Sequence, residues 1–179
     1  KALYMAVTGR PGPVWLDIPL DVQGAVIETE NLRAYDPAEN PEQKPQEISQ
    51  EIIEKILDKI EESHRPVLSP GNGVRLAGAI GEFHELVELL GVPVVTGMSS
   101  VDALESDHPY FAGRSGGTGT RAGNFALQNS DVLLSIGNRQ GFTQTGFQYQ
   151  DWARESYTIL NDIDENELKK PSLHVSLPV

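Results

Sequence analysis

Between residues 48 and 60 the apolar side chains recur as Ile48, Ile52, Ile53, Ile56, Leu57 and Ile60, with Glu51, Glu54, Asp58 and Lys59 mostly on the opposite side. Steps of three and four residues place the apolar set on one face, which predicts an amphipathic helix ending near Ser63 or His64. "RPVLSPGNGV" then forms a short apolar run closed by a glycine turn, and Ile80, Phe83, Leu86, Val87 and Leu90 mark one side of a second helix. The period changes again at residues 91–96, "GVPVVT", and 131–137, "DVLLSIG". Unbroken apolar runs of this length suit strands covered on both faces. "SYTILNDID" predicts a fourth strand, and "GGTGTRAGNFALQN" a glycine-rich loop entering a helix that turns Ala122, Phe125 and Ala126 toward the sheet. Strands alternating with helices imply right-handed crossovers, so residues 47–179 are expected to form a doubly wound, mostly parallel Rossmann-like α/β sheet.

The preceding residues have a different texture. "KALYMAVTG" reads as the last turns of a helix that Gly9 ends and that Pro11 and Pro13 prevent from continuing. Val14, Leu16 and Ile18 alternate as a short strand would. Residues 1–9 show neither a basic-then-apolar pattern nor a small-residue cleavage site, so they do not read as a targeting peptide; residues 1–23 read instead as the tail of another folding unit. Residues 24–46 are polar, contain three prolines and lack a sustained hydrophobic period, which predicts a connecting arm.

Charge narrows the possible partners. Lys+Arg 14 against Asp+Glu 26 gives a formal charge of -12, which repels a phosphate backbone and argues against nucleic acid. Residues 28–62 alone hold eleven acidic and four basic side chains, the composition of a solvated arm and helix face. No apolar run is long enough to cross a bilayer. The absence of cysteine removes disulfides, thiolate metal sites and cysteine nucleophiles together, and fits a cytoplasmic setting.

In a parallel sheet of this kind, ligands bind beyond the carboxyl ends of the strands, where glycine admits close backbone approach and helix N-termini offer amides to phosphate. The glycine clusters fall at such ends. Gly71, Asn72 and Gly73 follow the first strand of the α/β unit, Gly97 the second, and Gly137, Asn138 and Arg139 the third, while Gly116, Gly117 and Gly119 precede the third helix. A single glycine turn only lets the chain reverse; several converging on one edge point to a diphosphate-containing nucleotide. At the end of the last strand, Asp162 could accept from a ribose hydroxyl or an adenine amino group, whereas Asp164 could equally cap the next helix. His64, His84, His108 and His174 lack metal-ligand spacing, and no P-loop, G-x-S-x-G or paired catalytic carboxylates are visible.

"GRPGPVWLDIPLDVQ", "RPVLSPGNGV", "LGVPVVTG", "DHPYFAG", "GTRAGNFALQNSDVLLSIGNR" and "ILNDIDENEL" occur in the order and spacing of thiamine diphosphate-dependent enzymes of the acetolactate synthase group, which the chain resembles over almost its whole length. The resemblance implies that residues 1–23 end an N-terminal pyrimidine-binding domain, 24–46 connect, and 47–179 form the central domain. It further implies that the activating glutamate and the Gly-Asp-Gly…Asn-Asn motif for magnesium and thiamine diphosphate lie in other domains of the same chain. The central domain would hold FAD or another adenine nucleotide, through positions matching Arg10, Gly71, Gly73, Gly117, Gly119, Gly137, Arg139, Asp162 and Ile163. The group's Gly-Met-His-Gly-Thr is replaced by Gly116-Gly117-Thr118-Gly119-Thr120, its Arg-Phe-Asp-Asp-Arg by Arg139-Gln140-Gly141-Phe142-Thr143, and the lysine often found after "DIP" by Leu20.

The function expected on these grounds is the central part of a carboligase or decarboxylase acting on a 2-oxo acid, working as a homodimer or homotetramer through its outer domains; the residues by themselves are expected to be inactive. The alternative is a purely structural central domain that binds no nucleotide. An NAD-dependent deacylase, a third class with a related fold, lacks its zinc cysteines and histidine motif here.

Overall fold

The computed structural model describes residues 1–41 and 47–179, so the last five positions of the expected arm lie outside the described residues. The chain divides into two compact units, Lys1–Gln46 and Glu47–Val179.

In the first unit, α1 (Ala2–Val7) ends where expected. Gly9 takes φ 63°, a left-handed conformation that glycine adopts without steric cost, and Gly12 N–H returns to Ala6 C=O at 3.1 Å. The strand expected at Val14, Leu16 and Ile18 does not form. These side chains are exposed, and residues 11–19 carry no regular structure before the single turn α2 (Leu20–Gln23). Alternation makes a strand only when a neighbour completes its ladder, and Pro11, Pro13 and Pro19 each remove a donor. The described part of the arm contains two 3₁₀ turns, Thr29–Asn31 and Pro37–Glu39, the second capped by Asp36 accepting from Ala38 N–H. Tyr4 and Tyr35 meet at a ring separation of 5.6 Å.

The second unit is the α/β domain. Its elements are α3 (Gln50–Glu61), β1 (Pro66–Pro70), α4 (Asn72–Leu76), α5 (Ile80–Leu90), β2 (Val94–Thr96), β3 (Phe111–Arg114), α6 (Arg121–Gln128), β4 (Val132–Ile136), α7 (Phe142–Thr145), β5 (Tyr157–Asn161), α8 (Glu165–Leu168) and β6 (Leu177–Pro178). The strands form one six-stranded sheet in the order β3-β2-β1-β4-β5-β6, every pair parallel. Parallel strands cannot be joined by hairpins, so each connection crosses a face and both faces are covered.

The alternation of the strands separates two cores. Leu68, Val94, Leu134 and Ile159 pack with Phe83 and Val87 of α5 and with Ile56 and Ile60 of α3. Val67, Val95 and Leu133 point the other way, against Leu127 of α6 and Ala153. Ser49 caps α3 by accepting from Ile52 N–H, and Gly91 ends α5 at φ 60°.

Three details differ from the sequence pattern. The edge strands β3 and β6 escape it because "FAGR" and "LP" are short, and only one residue of each is buried. The glycine turn after β1 continues into a short helix, α4, which Gly78 at φ 70° separates from the expected helix α5. Finally, α6 is rotated from its expected facing: Gly123 and Leu127 are buried, Ala126 is half-buried, and Ala122 and Phe125 are exposed, the latter beneath the Arg121 guanidinium at 5.4 Å. The cause is close backbone approach. A Cβ on Gly123 would lie 2.5 Å from Arg114 N, so the helix seats its glycine, not its phenylalanine, on β3.

Candidate functional site

Because all strands run the same way, their carboxyl ends lie on one edge, and the turns at Gly71, Gly97, Ser115, Gly137 and Asp162 are brought together there. β1 and β4 are adjacent in the sheet although β2 and β3 intervene in sequence. The strand order therefore reverses between them, the place where open α/β sheets form a ligand crevice.

At this point the chain packs against itself. Gly71 N–H donates to Ile136 C=O and Gly73 N–H to Gly137 C=O, both at 2.9 Å, while Gly137 N–H donates to Asn161 C=O at 2.9 Å. A Cβ on Gly73 would lie 2.7 Å from Gly137 Cα, and one on Gly71 would strike the Gly137 carbonyl and Asn138. These glycines are needed for contact between the β1 and β4 turns, and their amides are already committed. Asn72 opens α4 in the same turn.

Farther along the edge, Gly97 N–H donates to Ser100 Oγ at 3.1 Å, Gly119 N–H to Gly116 C=O at 2.9 Å, and Gly117 N–H to Thr143 C=O at 3.1 Å. Asn124 clasps the same loop, accepting Gly116 N–H at 2.8 Å and donating to its carbonyl at 3.1 Å. A Cβ on Gly117 would meet nothing within 4 Å, so its side faces open space.

Arg139 forms an ion pair with Glu167 at 3.3 Å. Asp162 accepts Asp164 N–H at 3.0 Å, Asp164 in turn caps α8 by accepting Asn166 N–H at 3.0 Å, and Ile163 between them is exposed. Arg10 belongs to the first unit.

Beneath the edge lies a polar cluster that takes in the expected site residue Asn138 together with Ser69, Ser135 and the Gln140 side chain, which the sequence had not singled out. Gln140 is 2% exposed, adopts φ 47°, and donates through Nε2 to Ser135 Oγ at 3.0 Å and Ser69 Oγ at 3.3 Å. Asn138 Nδ2 donates to the same Ser69 Oγ at 3.2 Å, and Asn138 Oδ1 accepts Gln140 N–H at 3.2 Å. Ser69 and Ser135 are register partners on β1 and β4. Their signal was one serine interrupting each apolar run, "VLSP" and "LLSI". Among the described residues of this unit, Thr96 Oγ1, Gln140 Oε1 and Gln144 Nε2 are buried without a hydrogen-bond partner.

The opposite, amino-terminal edge is closed by Asp131, whose carboxylate accepts His64 and Arg65 N–H at 2.8 Å each. Burial alone would raise its pKa, but these two amides and the nearby Arg65 charge outweigh that effect and hold the carboxyl below its ordinary value.

Among the described residues, no group of three or more His, Cys, Asp or Glu side chains is placed to hold a metal ion. No described helix is long and apolar enough to cross a membrane.

Comparison with known proteins agrees with the sheet. The chain is 35% identical over its whole length to a probable acetolactate synthase large subunit of Methanococcus aeolicus, spanning 30% of that protein. It is 33% identical, over 99% of its length, to the acetolactate synthase isozyme 2 large subunit of Escherichia coli, of which it spans 31%. The acetolactate synthase large subunit of Corynebacterium glutamicum is 35% identical over 95% of the chain, which spans 27% of it. The chain thus covers about 30% of the first two relatives' length. The family described as "Thiamine pyrophosphate enzyme, central domain" matches residues 53–178, which take in the entire sheet and its glycine turns, and the chain belongs to this family.

Proposed function

We propose that this chain supplies the central domain of a thiamine diphosphate-dependent, acetolactate synthase-like enzyme acting on a 2-oxo acid by carboligation or decarboxylation. The observation that carries the reading is a family match across the whole α/β sheet in a chain about 35% identical to large subunits some three times its length. In this reading the thiamine cofactor, its magnesium and the proton transfers belong to flanking domains of the same polypeptide, and the assembly is a homodimer or homotetramer built through those domains. The central domain braces them and holds FAD or another adenine nucleotide along the carboxyl edge of its sheet.

Support for the nucleotide is uneven along that edge. The carboxylate of Asp162, the exposed Ile163 surface and the open side of Gly117 suit a ribose, an adenine face and a phosphate respectively. The amides of Gly71, Gly73, Gly117, Gly119 and Gly137 do not contribute as they stand, because each already has a carbonyl partner within the chain. Those internal bonds favour a second reading, a central domain whose glycines serve only packing and which binds no nucleotide. Mass spectrometry of material released by denaturing the natively purified protein separates the two. FAD, ADP or another adenine nucleotide at near-stoichiometric amount supports the first, and none supports the second.

A further inference from the structure

The connection from β4 to β5 reaches across the sheet edge to the turns that follow β2 and β3. Within it, α7 is a single turn closed by Gln144 N–H to Gly141 C=O and Gly146 N–H to Phe142 C=O, both 2.8 Å. Gly141 and Gly146 bound it, and a Cβ on either would meet nothing within 4 Å; Gly146 has φ 76°. The turn covers two glycines. Gln144's carboxamide occupies the space that a side chain at Gly97 would fill, and the Thr143 carbonyl that of a side chain at Gly116. Thr143 C=O also accepts the Gly117 amide, and this is the bond that keeps that amide occupied.

The outer side of the turn lies open to solvent. Its aromatic residues do not enter a core: Phe142 and Phe147 stack on each other at 5.7 Å and are 65% and 86% exposed. On the inner side, Gln144 Nε2 is buried without an acceptor. Buried polar atoms normally find partners, and leaving them without one costs free energy. Such an atom, set in the hollow beside Gly97, marks a place that lacks a polar acceptor. The hollow lies next to a turn flanked in sequence by Arg114 and Arg121, in a chain of formal charge -12, and that turn leads directly into α6.

We infer that residues 141–146 form a strap and that Gln144 is its latch over a ligand hollow lined by Gly97 and the 116–119 turn. The occupant is the diphosphate-bearing part of an adenine nucleotide, so the inference rests on the nucleotide reading above. Lifting the strap about Gly141 and Gly146 removes the carboxamide from the hollow and frees the Gly117 amide for a phosphate oxygen. It also gives Gln144 Nε2 an acceptor that it lacks at rest. The carboxamide and the ligand compete for one space, so deleting the carboxamide and filling the hollow have opposite effects.

The test titrates the 179-residue chain, Gln144→Ala and Gly97→Ala with ADP by calorimetry, alongside hydrogen exchange of residues 142–146 without ligand. Gln144→Ala is expected to bind ADP three- to tenfold more tightly than the parent. Gly97→Ala, whose methyl group takes the carboxamide's place, is expected to bind at least tenfold more weakly and to exchange faster at residues 142–146. Equal or weaker binding by Gln144→Ala, or unchanged binding by Gly97→Ala, overturns the latch while leaving the nucleotide reading in place. Absence of ADP binding in all three proteins overturns both.

Discussion

Gly73 donates its amide to the Gly137 carbonyl at 2.9 Å, and a methyl group on Gly73 would lie 2.7 Å from Gly137 Cα. This contact locks the turn after β1 to the turn after β4, at the reversal of strand order. Both obstructing atoms belong to backbone, which cannot rotate away as a side chain can. Gly73→Ala should therefore destabilise the domain by about 1–3 kcal/mol, the usual cost of forcing atoms into a packed interior. Urea denaturation is the measurement, and a midpoint equal to that of the parent would show that the two turns separate freely. Gly117→Ala, with no atom within 4 Å of the added Cβ, is the matched control and should cost much less.

Gln140 combines a left-handed backbone with a buried hydrogen-bonding side chain, and two substitutions separate these contributions. Both Gln140→Ala and Gln140→Gly remove the bonds to Ser69 and Ser135, for a loss of about 1–3 kcal/mol each. Only glycine relieves the positive φ, worth roughly 1 kcal/mol. Gln140→Gly is thus expected to be the more stable of the pair by about that amount in chemical denaturation. The reverse order would mean that the cluster, not the backbone, dictates the conformation at this position.

Asp131 predicts an acid-sensitive component of stability. Its carboxyl titrates below the ordinary carboxylate range in the folded chain because the His64 and Arg65 amides and the Arg65 charge outweigh the opposing effect of burial. Its contribution is fully present above the unfolded-state value of about 4 and is lost as pH falls through the lower folded-state value. Asp131→Asn should lower stability at pH 7 by on the order of 1 kcal/mol, because the amides it serves are near water. The difference from the parent should shrink as pH falls below about 4. Denaturation midpoints measured at pH 7 and across the acid range check this, and a constant difference would contradict it.

If a nucleotide occupies the carboxyl edge, its adenine and diphosphate half should dominate recognition. ADP is then expected to bind within about tenfold of FAD, roughly 1.4 kcal/mol. Asp162→Ala should weaken both alike, by about 1–3 kcal/mol, by leaving a ligand donor unpaired. Calorimetric titration of both ligands provides the comparison. FAD binding a hundredfold more tightly than ADP would place the decisive contacts on the flavin ring, and a large effect of Asp162→Ala on one ligand alone would remove Asp162 from their shared half.

Local pattern was enough to recognise α3, α5 and the interior strands β1, β2, β4 and β5, because their apolar residues repeat with the geometry of the element they build. It was enough, too, to expect the glycine turns at one edge of a parallel sheet, since alternating strands and helices leave few other connections. Pairing and direct backbone approach were decided only in three dimensions. Val14, Leu16 and Ile18 alternate but have no ladder, whereas "FAGR" scarcely alternates and becomes β3 because β2 offers it an edge. Gly123 displaces Phe125 from the inner face of α6 because the helix lies against the Arg114 backbone. The uses of the edge glycines divide for the same reason. Composition and spacing could show that Gly71, Gly73, Gly97 and Gly117 stand at strand ends. Only the folded chain decides that the amides of Gly71 and Gly73 are satisfied by the neighbouring turn and that the hollow at Gly97 is filled by Gln144, because donors and space are claimed by residues far away in sequence.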